Sequence, residues 1–153
     1  MSDQVASERI LVGKTPKLVG QTITLQGWVE TKRDHGKITF IDLRDRTGII
    51  QCVGFKMMGE VTTESVVSIT GEVKQRPERM VNKDIPTGTV ELEVKEYEIL
   101  NLSKELPIQV EGDAYDVKEE ARLKYRYLDL RRNRMRKNLR TRSKLIQGFR
   151  EYL

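Results

Sequence analysis

The 153 residues suit one domain, or a small domain with an extension, and with 33% charged and 6% aromatic residues the core is modest and the surface well solvated. No apolar run approaches a membrane span, and residues 1–14 lack the basic-then-apolar order of a signal peptide, so no membrane partner and a cytoplasmic setting are expected. A single cysteine, Cys52, excludes an intrachain disulfide and fits a reducing compartment, and one Cys with one His cannot build a four-ligand zinc site. The net charge of +5 is unevenly placed: residues 118–153 carry 13 basic and 4 acidic side chains, which leaves residues 1–117 at −4. Global basicity therefore says nothing about nucleic-acid binding by the first part; only local clusters can.

In chain order, residues 1–20 are polar, with Thr15-Pro16 a candidate start for one helical turn before Gly20. Residues 22–32 read as a first strand whose alternation slips at Gly27-Trp28-Val29, which predicts a bulge or sharp coil. Residues 37–44 and 48–55 are the second and third strands, with turns predicted at Asp34-His35-Gly36 and at residues 45–48. Residues 56–64 hold Met57, Met58 and Val61 and suit a short helix or a loop plugging one end of a sheet. Residues 65–75 are a fourth strand with Val67, Ile69 and Gly71 on one side, and residues 90–100 a fifth with Val90, Leu92 and Val94 on one side. Five strands, the first long and coiled, with a plug between the third and fourth, predict a mainly β protein: a five-stranded OB-fold barrel followed by a hinge and C-terminal helices. The connection at residues 76–89 is long for so small a domain, which marks it as functional or disordered.

A turn-rich linker follows residue 101, and residues 118–124 and 133–153 read as helices. In the second, Leu139, Leu145, Ile146, Phe149 and Leu153 fall on one side, a stripe with no obvious partner in the chain. The expected division is a lead-in at 1–20, the barrel at 21–101, linker and hinge at 102–132, and at 133–153 the opening helix of a further domain.

The second strand carries the functional signal. Alternation places Ile38, Phe40 and Asp42 on one face and Thr39, Ile41 and Leu43 on the other. Ile41 and Leu43 can feed a core, which leaves Phe40 beside Asp42, with Arg33 entering from the first strand and Gln51 on the third. An aromatic ring among donors and acceptors on a sheet surface suits stacking on, and reading of, an unpaired base. A strand Phe taken alone is more often plain core.

Four stretches, GWV at 27–29, RDHG at 33–36, FIDLRDRTGIIQ at 40–51 and EEARLKYRYLDLRR at 119–132, resemble the N-terminal anticodon-binding domain of bacterial-type aspartyl-tRNA synthetases, of class II. The lysyl and asparaginyl enzymes share the barrel, but the second and third stretches look aspartyl. The resemblance implies that Phe40 stacks on the middle anticodon base and Gln51 bonds that base's edge. It implies that Glu91 reads the first anticodon base, and that Arg76 and Asn82, from the long loop with Arg79 and Lys83, contact the anticodon's far side. Arg33 can fork onto a base edge or a phosphate, with Lys32 and Lys37 as background attraction. A His at position 35, where the family often has Leu, accompanies relaxed selection between aspartate and asparagine tRNAs. The loop at Arg79-Met80 does not clearly match that relaxed pattern.

On this resemblance the partner is tRNA and the parent is a homodimeric aspartate-tRNA ligase using ATP and magnesium. Its class II catalytic domain, with the ATP and aspartate sites, would begin past Leu153, so this chain, without cofactor or catalytic residues of its own, would bind tRNA and would not activate aspartate. Residues 125–132 become a hinge, ahead of a direct tRNA contact or a membrane-surface helix. Two other readings stand beside it: a generic single-strand-binding OB module, and an interaction domain docking through its C-terminal helix.

Overall fold

The computed structural model describes residues 9–110, 112 and 115–153; residues 1–8 of the lead-in expected at 1–20, and residues 111, 113 and 114 of the expected linker, lie outside the described residues. The chain divides into two compact units, one ending at Lys104 and the other beginning at Glu105.

The first unit is a closed barrel of five strands: β1 (Thr22–His35), β2 (Ile38–Arg44), β3 (Ile49–Phe55), β4 (Val66–Gln75) and β5 (Val90–Asn101), hydrogen-bonded in the order β1-β2-β3-β5-β4. All pairings are antiparallel except β3 with β5. Period-two alternation puts Leu25, Val29, Ile41, Leu43, Ile50, Cys52, Val67, Ile69, Val73 and Leu92 inside, all of them buried. Each fully buried aliphatic side chain contributes about 1.5–3 kcal/mol of transfer free energy. Burial also pushes the Cys52 thiol far above its ordinary pKa, so it is an inert core residue.

The irregularity in β1 lies one step later than the alternation suggests, between Val29 and Thr31, where Glu30 is the extra residue. Gly27 is instead a point of close approach: a Cβ there would collide with the Arg44 carbonyl. The bulge turns the Glu30 carboxylate onto Arg44, which donates to it at 3.0 Å and to Glu64 at 2.7 Å. This partly buried cluster pins the strand corner to the segment that follows β3. That segment, residues 56–64, forms turns and no helix, and it buries Met58 and Val61 against the barrel core.

Before β1, a 3-10 helix at Val12–Lys17 contains Pro16 and begins upstream of the expected Thr15 start. The Val12 N–H donates to Asp45 Oδ2 at 2.8 Å, and Asp45 Oδ1 accepts from the Thr47 N–H at 2.7 Å and the Thr47 hydroxyl at 2.6 Å. Burial alone would raise the Asp45 carboxyl, but these bonds outweigh it and hold its pKa below the ordinary carboxylate value.

The second unit packs Ile108, Val110 and Leu128 with Leu106, Val117, Ala121 and Tyr125 into a small cluster. Its helices are α1 (Glu119–Lys124), a single turn α2 (Arg126–Asp129) and α3 (Asn133–Tyr152). The Asp129 side chain is fully buried and takes Arg122 at 3.0 Å, Arg126 at 2.8 Å and Arg132 at 3.2 Å. Arg132, itself buried, also donates to the Gln109 carbonyl. The arginines of the YRYLDLRR stretch thus serve internal packing as well as solvent. On α3 the expected stripe is present and exposed at Leu139, Leu145, Ile146, Phe149 and Leu153.

Candidate nucleic-acid interface

The β1–β2 connection decides how the candidate residues line up. It is a two-residue loop, Gly36-Lys37, with Gly36 at φ +65°, the left-handed value such a loop needs at its first position. The turn expected at Asp34-His35-Gly36 is therefore displaced toward the C-terminus, because only glycine adopts that φ without a steric penalty. As a result His35 ends a strand, opposite Ile38, on the same face as Arg33 and Phe40. Its ring meets Phe40 edge to face, with centroids 5.6 Å apart and planes at 81°.

Register then assembles a face in three rows. In the first, Asp42, Gln51 and Glu91 lie directly opposite one another across β2, β3 and β5. In the second, Arg33, Phe40 and Val53 are opposed across β1, β2 and β3, and in the third His35, Ile38 and Phe55. Phe40 is half-buried, its flanking Thr39 and Ile41 buried, so the ring belongs to the outer face and not to the core.

The polar members form a hydrogen-bonded chain. Arg33 Nη2 donates to Asp42 Oδ1 and Oδ2 at 3.3 and 3.2 Å and reaches Gln51 Oε1 at 3.5 Å. Gln51 Nε2 donates to Glu91 Oε2 at 3.2 Å. Arg76 Nε, from the segment after β4, lies 3.3 Å from the same Glu91 oxygen. Thr31 Oγ1 donates to Asp42 from behind. The side chains that would contact a base are thus held by one another before any ligand arrives.

Arg33, His35, Phe40, Gln51, Glu91 and Arg76 are brought together in this way. Asn82 is not part of the chain of bonds: its Oδ1 accepts from the Asp84 N–H at 2.9 Å, and its N–H donates to the Gly88 carbonyl at 3.1 Å, so it shapes the β4–β5 loop. Lys32 points away from the face, pairing with Asp34 at 3.3 Å and donating to the Gly59 carbonyl. The Thr39 hydroxyl bonds Asp34 at 2.7 Å and, as the main cause, keeps that carboxyl below its ordinary pKa. Asp42 and Thr31 are the members the sequence reading did not single out as site residues. The alternation that placed Asp42 beside Phe40 was the available signal. Among the described residues, no group of three or more His, Cys, Asp or Glu could hold a metal ion.

The family model described as an OB-fold nucleic acid binding domain matches residues 23–100, and that described as class II tRNA synthetases (D, K and N) matches residues 118–153. The Aspartate–tRNA(Asp/Asn) ligase of Halothermothrix orenii is 46% identical over 143 residues, covering 88% of this chain and 24% of that protein. The Aspartate–tRNA(Asp/Asn) ligase of Acaryochloris marina is 48% identical over 145 residues, with the same coverage. The chain therefore spans about a quarter of the length of these curated relatives. Among solved structures, the asparaginyl-tRNA synthetase of Pyrococcus horikoshii with asparaginyl-adenylate superposes with a TM-score of 0.78 at 28% identity, over 96% of this chain and 34% of that one. The aspartyl tRNA synthetase of Entamoeba histolytica, at 21% identity and a TM-score of 0.82 over 97% of this chain and 38% of that one, shares the fold. With this strand order and more than half of its length matched, the chain belongs to the family of OB-fold nucleic acid binding domains.

Proposed function

We propose that this chain is the anticodon-binding part of an aspartate-tRNA ligase, holding tRNA by its anticodon while the chemistry proceeds elsewhere. The observation that carries the reading is the half-buried Phe40 ring set beside the row Asp42, Gln51 and Glu91. The ring offers a stacking platform blind to base identity, worth roughly 1–3 kcal/mol. The row offers the discrimination: Gln51 both donates and accepts, and the Glu91 carboxylate accepts from a base donor. In this reading Phe40 and Gln51 take the middle base, Glu91 the first, and Arg33, His35, Arg76 and Asn82 its surroundings.

The proposed domain division is the barrel at 21–101, linker and hinge at 102–132, and at 133–153 the first helix of a class II catalytic domain. That domain would supply the ATP and magnesium chemistry and the parent's homodimer contacts, and this chain would contribute binding and specificity. The parent would work in the cytoplasm. Among the described residues, no helix is long and apolar enough to cross a membrane. The Asp/Asn designation in the relatives' names, with His35 on the face, favours a parent that accepts both tRNAs.

The test is binding of this chain, at one fixed salt concentration, to the aspartate tRNA and to transcripts with each anticodon base changed, including an asparagine-type anticodon. Salt must be fixed because phosphate contacts alone shift affinity by orders of magnitude. Loss of binding on changing the middle base supports the reading. Equal affinity for every transcript would leave a backbone-reading OB module instead.

A further inference from the structure

Two members of the third row, Ile38 and Phe55, lie beyond every residue assigned above. Phe55 ends β3 with 61% of its surface exposed, and Ile38, directly opposite on β2, is 38% exposed. Both project on the same side of the sheet as Phe40, because Ile38 and Phe40 are two residues apart on one strand and Phe55 is two from Val53, Phe40's partner. A Phe that leaves most of its surface in water gains by being covered, and an exposed apolar patch continuous with a candidate binding face suits an extension of that face. Ile38 and Phe55 offer no polar group to read a base edge; in this row only the His35 imidazole could. The pair is instead flanked by cations: Lys56 Nζ sits 5.6 Å from the Phe55 ring centroid, and the Lys56 N–H donates to the Lys37 carbonyl at 2.8 Å, which sets the two exposed lysines side by side.

We propose that Phe55 and Ile38, with Lys37 and Lys56 at their margin, form a second stacking subsite that takes one further unpaired nucleotide of the RNA strand lying on Phe40. The rows are separated by two residues of strand, roughly 7 Å, which lets neighbouring nucleotides of an extended strand occupy successive platforms. An aromatic ring with an aliphatic floor accepts any base, and the lysines attract the flanking phosphate without reading sequence. The subsite therefore adds affinity and register, and leaves discrimination to Gln51 and Glu91. It rests on the proposal that Phe40 receives a base.

The test uses the full chain and an aspartate-type anticodon stem-loop RNA, with an abasic nucleotide placed at each loop position in turn. Phe55→Ala should weaken binding to the intact hairpin on the order of 5–150-fold. One abasic position, different from the one coupled to Phe40→Ala, should remove that difference, and Phe55→Trp should restore binding. Because Phe55 is exposed, its truncation leaves the core intact, and unchanged thermal melting checks this. If Phe40→Ala weakens binding and Phe55→Ala does not, the subsite is absent and the anticodon reading stands. A Phe55→Ala loss that is the same for every abasic hairpin also overturns the subsite, since no base then stacks there. If neither variant changes affinity, both proposals fail together.

Discussion

Gln51 and Glu91 face each other across the barrel's parallel pairing of β3 with β5, and the Gln51 amide donates to the Glu91 carboxylate at 3.2 Å. Arg33 approaches the opposite end of the same amide, at Oε1. The amide is therefore oriented from both sides, oxygen toward the cation and nitrogen toward the anion. Each end keeps one free hydrogen-bonding position, a second N–H and a second lone pair, for an incoming base. A side chain already oriented loses less entropy on binding than one that must be ordered by the ligand.

Glu91→Gln keeps the shape and removes the charge that anchors both Gln51 and Arg76. Affinity for hairpins differing at the base proposed for Glu91 should converge, the discrimination falling by about 1.5–3 kcal/mol, the range for a hydrogen bond to a charged group. Overall affinity for the backbone should rise slightly, since a carboxylate near phosphates is lost. Titrations of wild type and variant against hairpins altered at each anticodon position measure both effects, and a uniform loss across all hairpins would contradict the assignment.

Phe40→Ala should cost about 1–3 kcal/mol of binding while leaving the dependence on salt unchanged, because stacking releases no counterions. Phe40→Trp should retain affinity. The same truncation removes the edge-to-face partner of His35, so His35→Ala introduced into Phe40→Ala should have less effect than it has alone. Salt-series binding measurements on the four proteins check this.

Arg33→Lys preserves charge and tests geometry. A planar guanidinium can touch both Asp42 and Gln51, as Arg33 does, whereas a single ammonium cannot hold that fork. The salt slope should stay as in the wild type, and selectivity at the base read by Gln51 should fall by about tenfold, or roughly 1.4 kcal/mol. A change in salt slope with unchanged selectivity would instead make Arg33 a phosphate contact.

The barrel was legible in the sequence because its signals are local: period-two alternation in five segments and turn chemistry between them. Phe40 could be placed on the outer face for the same reason, since Ile41 and Leu43 claim the inside. The exact turn was not legible, because Asp34, His35 and Gly36 are all turn formers and only the φ of Gly36 decides which residues the loop contains. That one-residue question determines whether His35 touches Phe40. The chain of bonds from Asp42 to Arg76 was likewise hidden, because it depends on the register between strands far apart in sequence, such as β3 against β5. Asn82, which the resemblance sets at the anticodon, has a local role that its loop position alone did not disclose: its side chain closes a turn of its own loop.

Asp129 makes a prediction about acid. Burial alone would raise its pKa, but hydrogen bonds from Arg122 and the charges of Arg122, Arg126 and Arg132 outweigh that and hold it below the ordinary carboxylate value. In the unfolded chain the group titrates near ~3.9. A carboxyl whose folded pKa is depressed contributes its stabilisation in full above the unfolded value and loses it as pH falls through the folded value. The segment from α1 to α2 should therefore be protected at neutral pH and lose that protection progressively as pH falls below about 4 toward the depressed folded value. Asp129→Asn removes the anion and leaves three arginines converging on an amide. It should open this segment at neutral pH by about 2 kcal/mol, less than a fully enclosed pair because Arg126 is half exposed. Amide hydrogen exchange across residues 119–132, followed from neutral to acid pH, checks both statements. In the variant the protection should be low and nearly independent of pH, while the barrel amides behave as in the wild type.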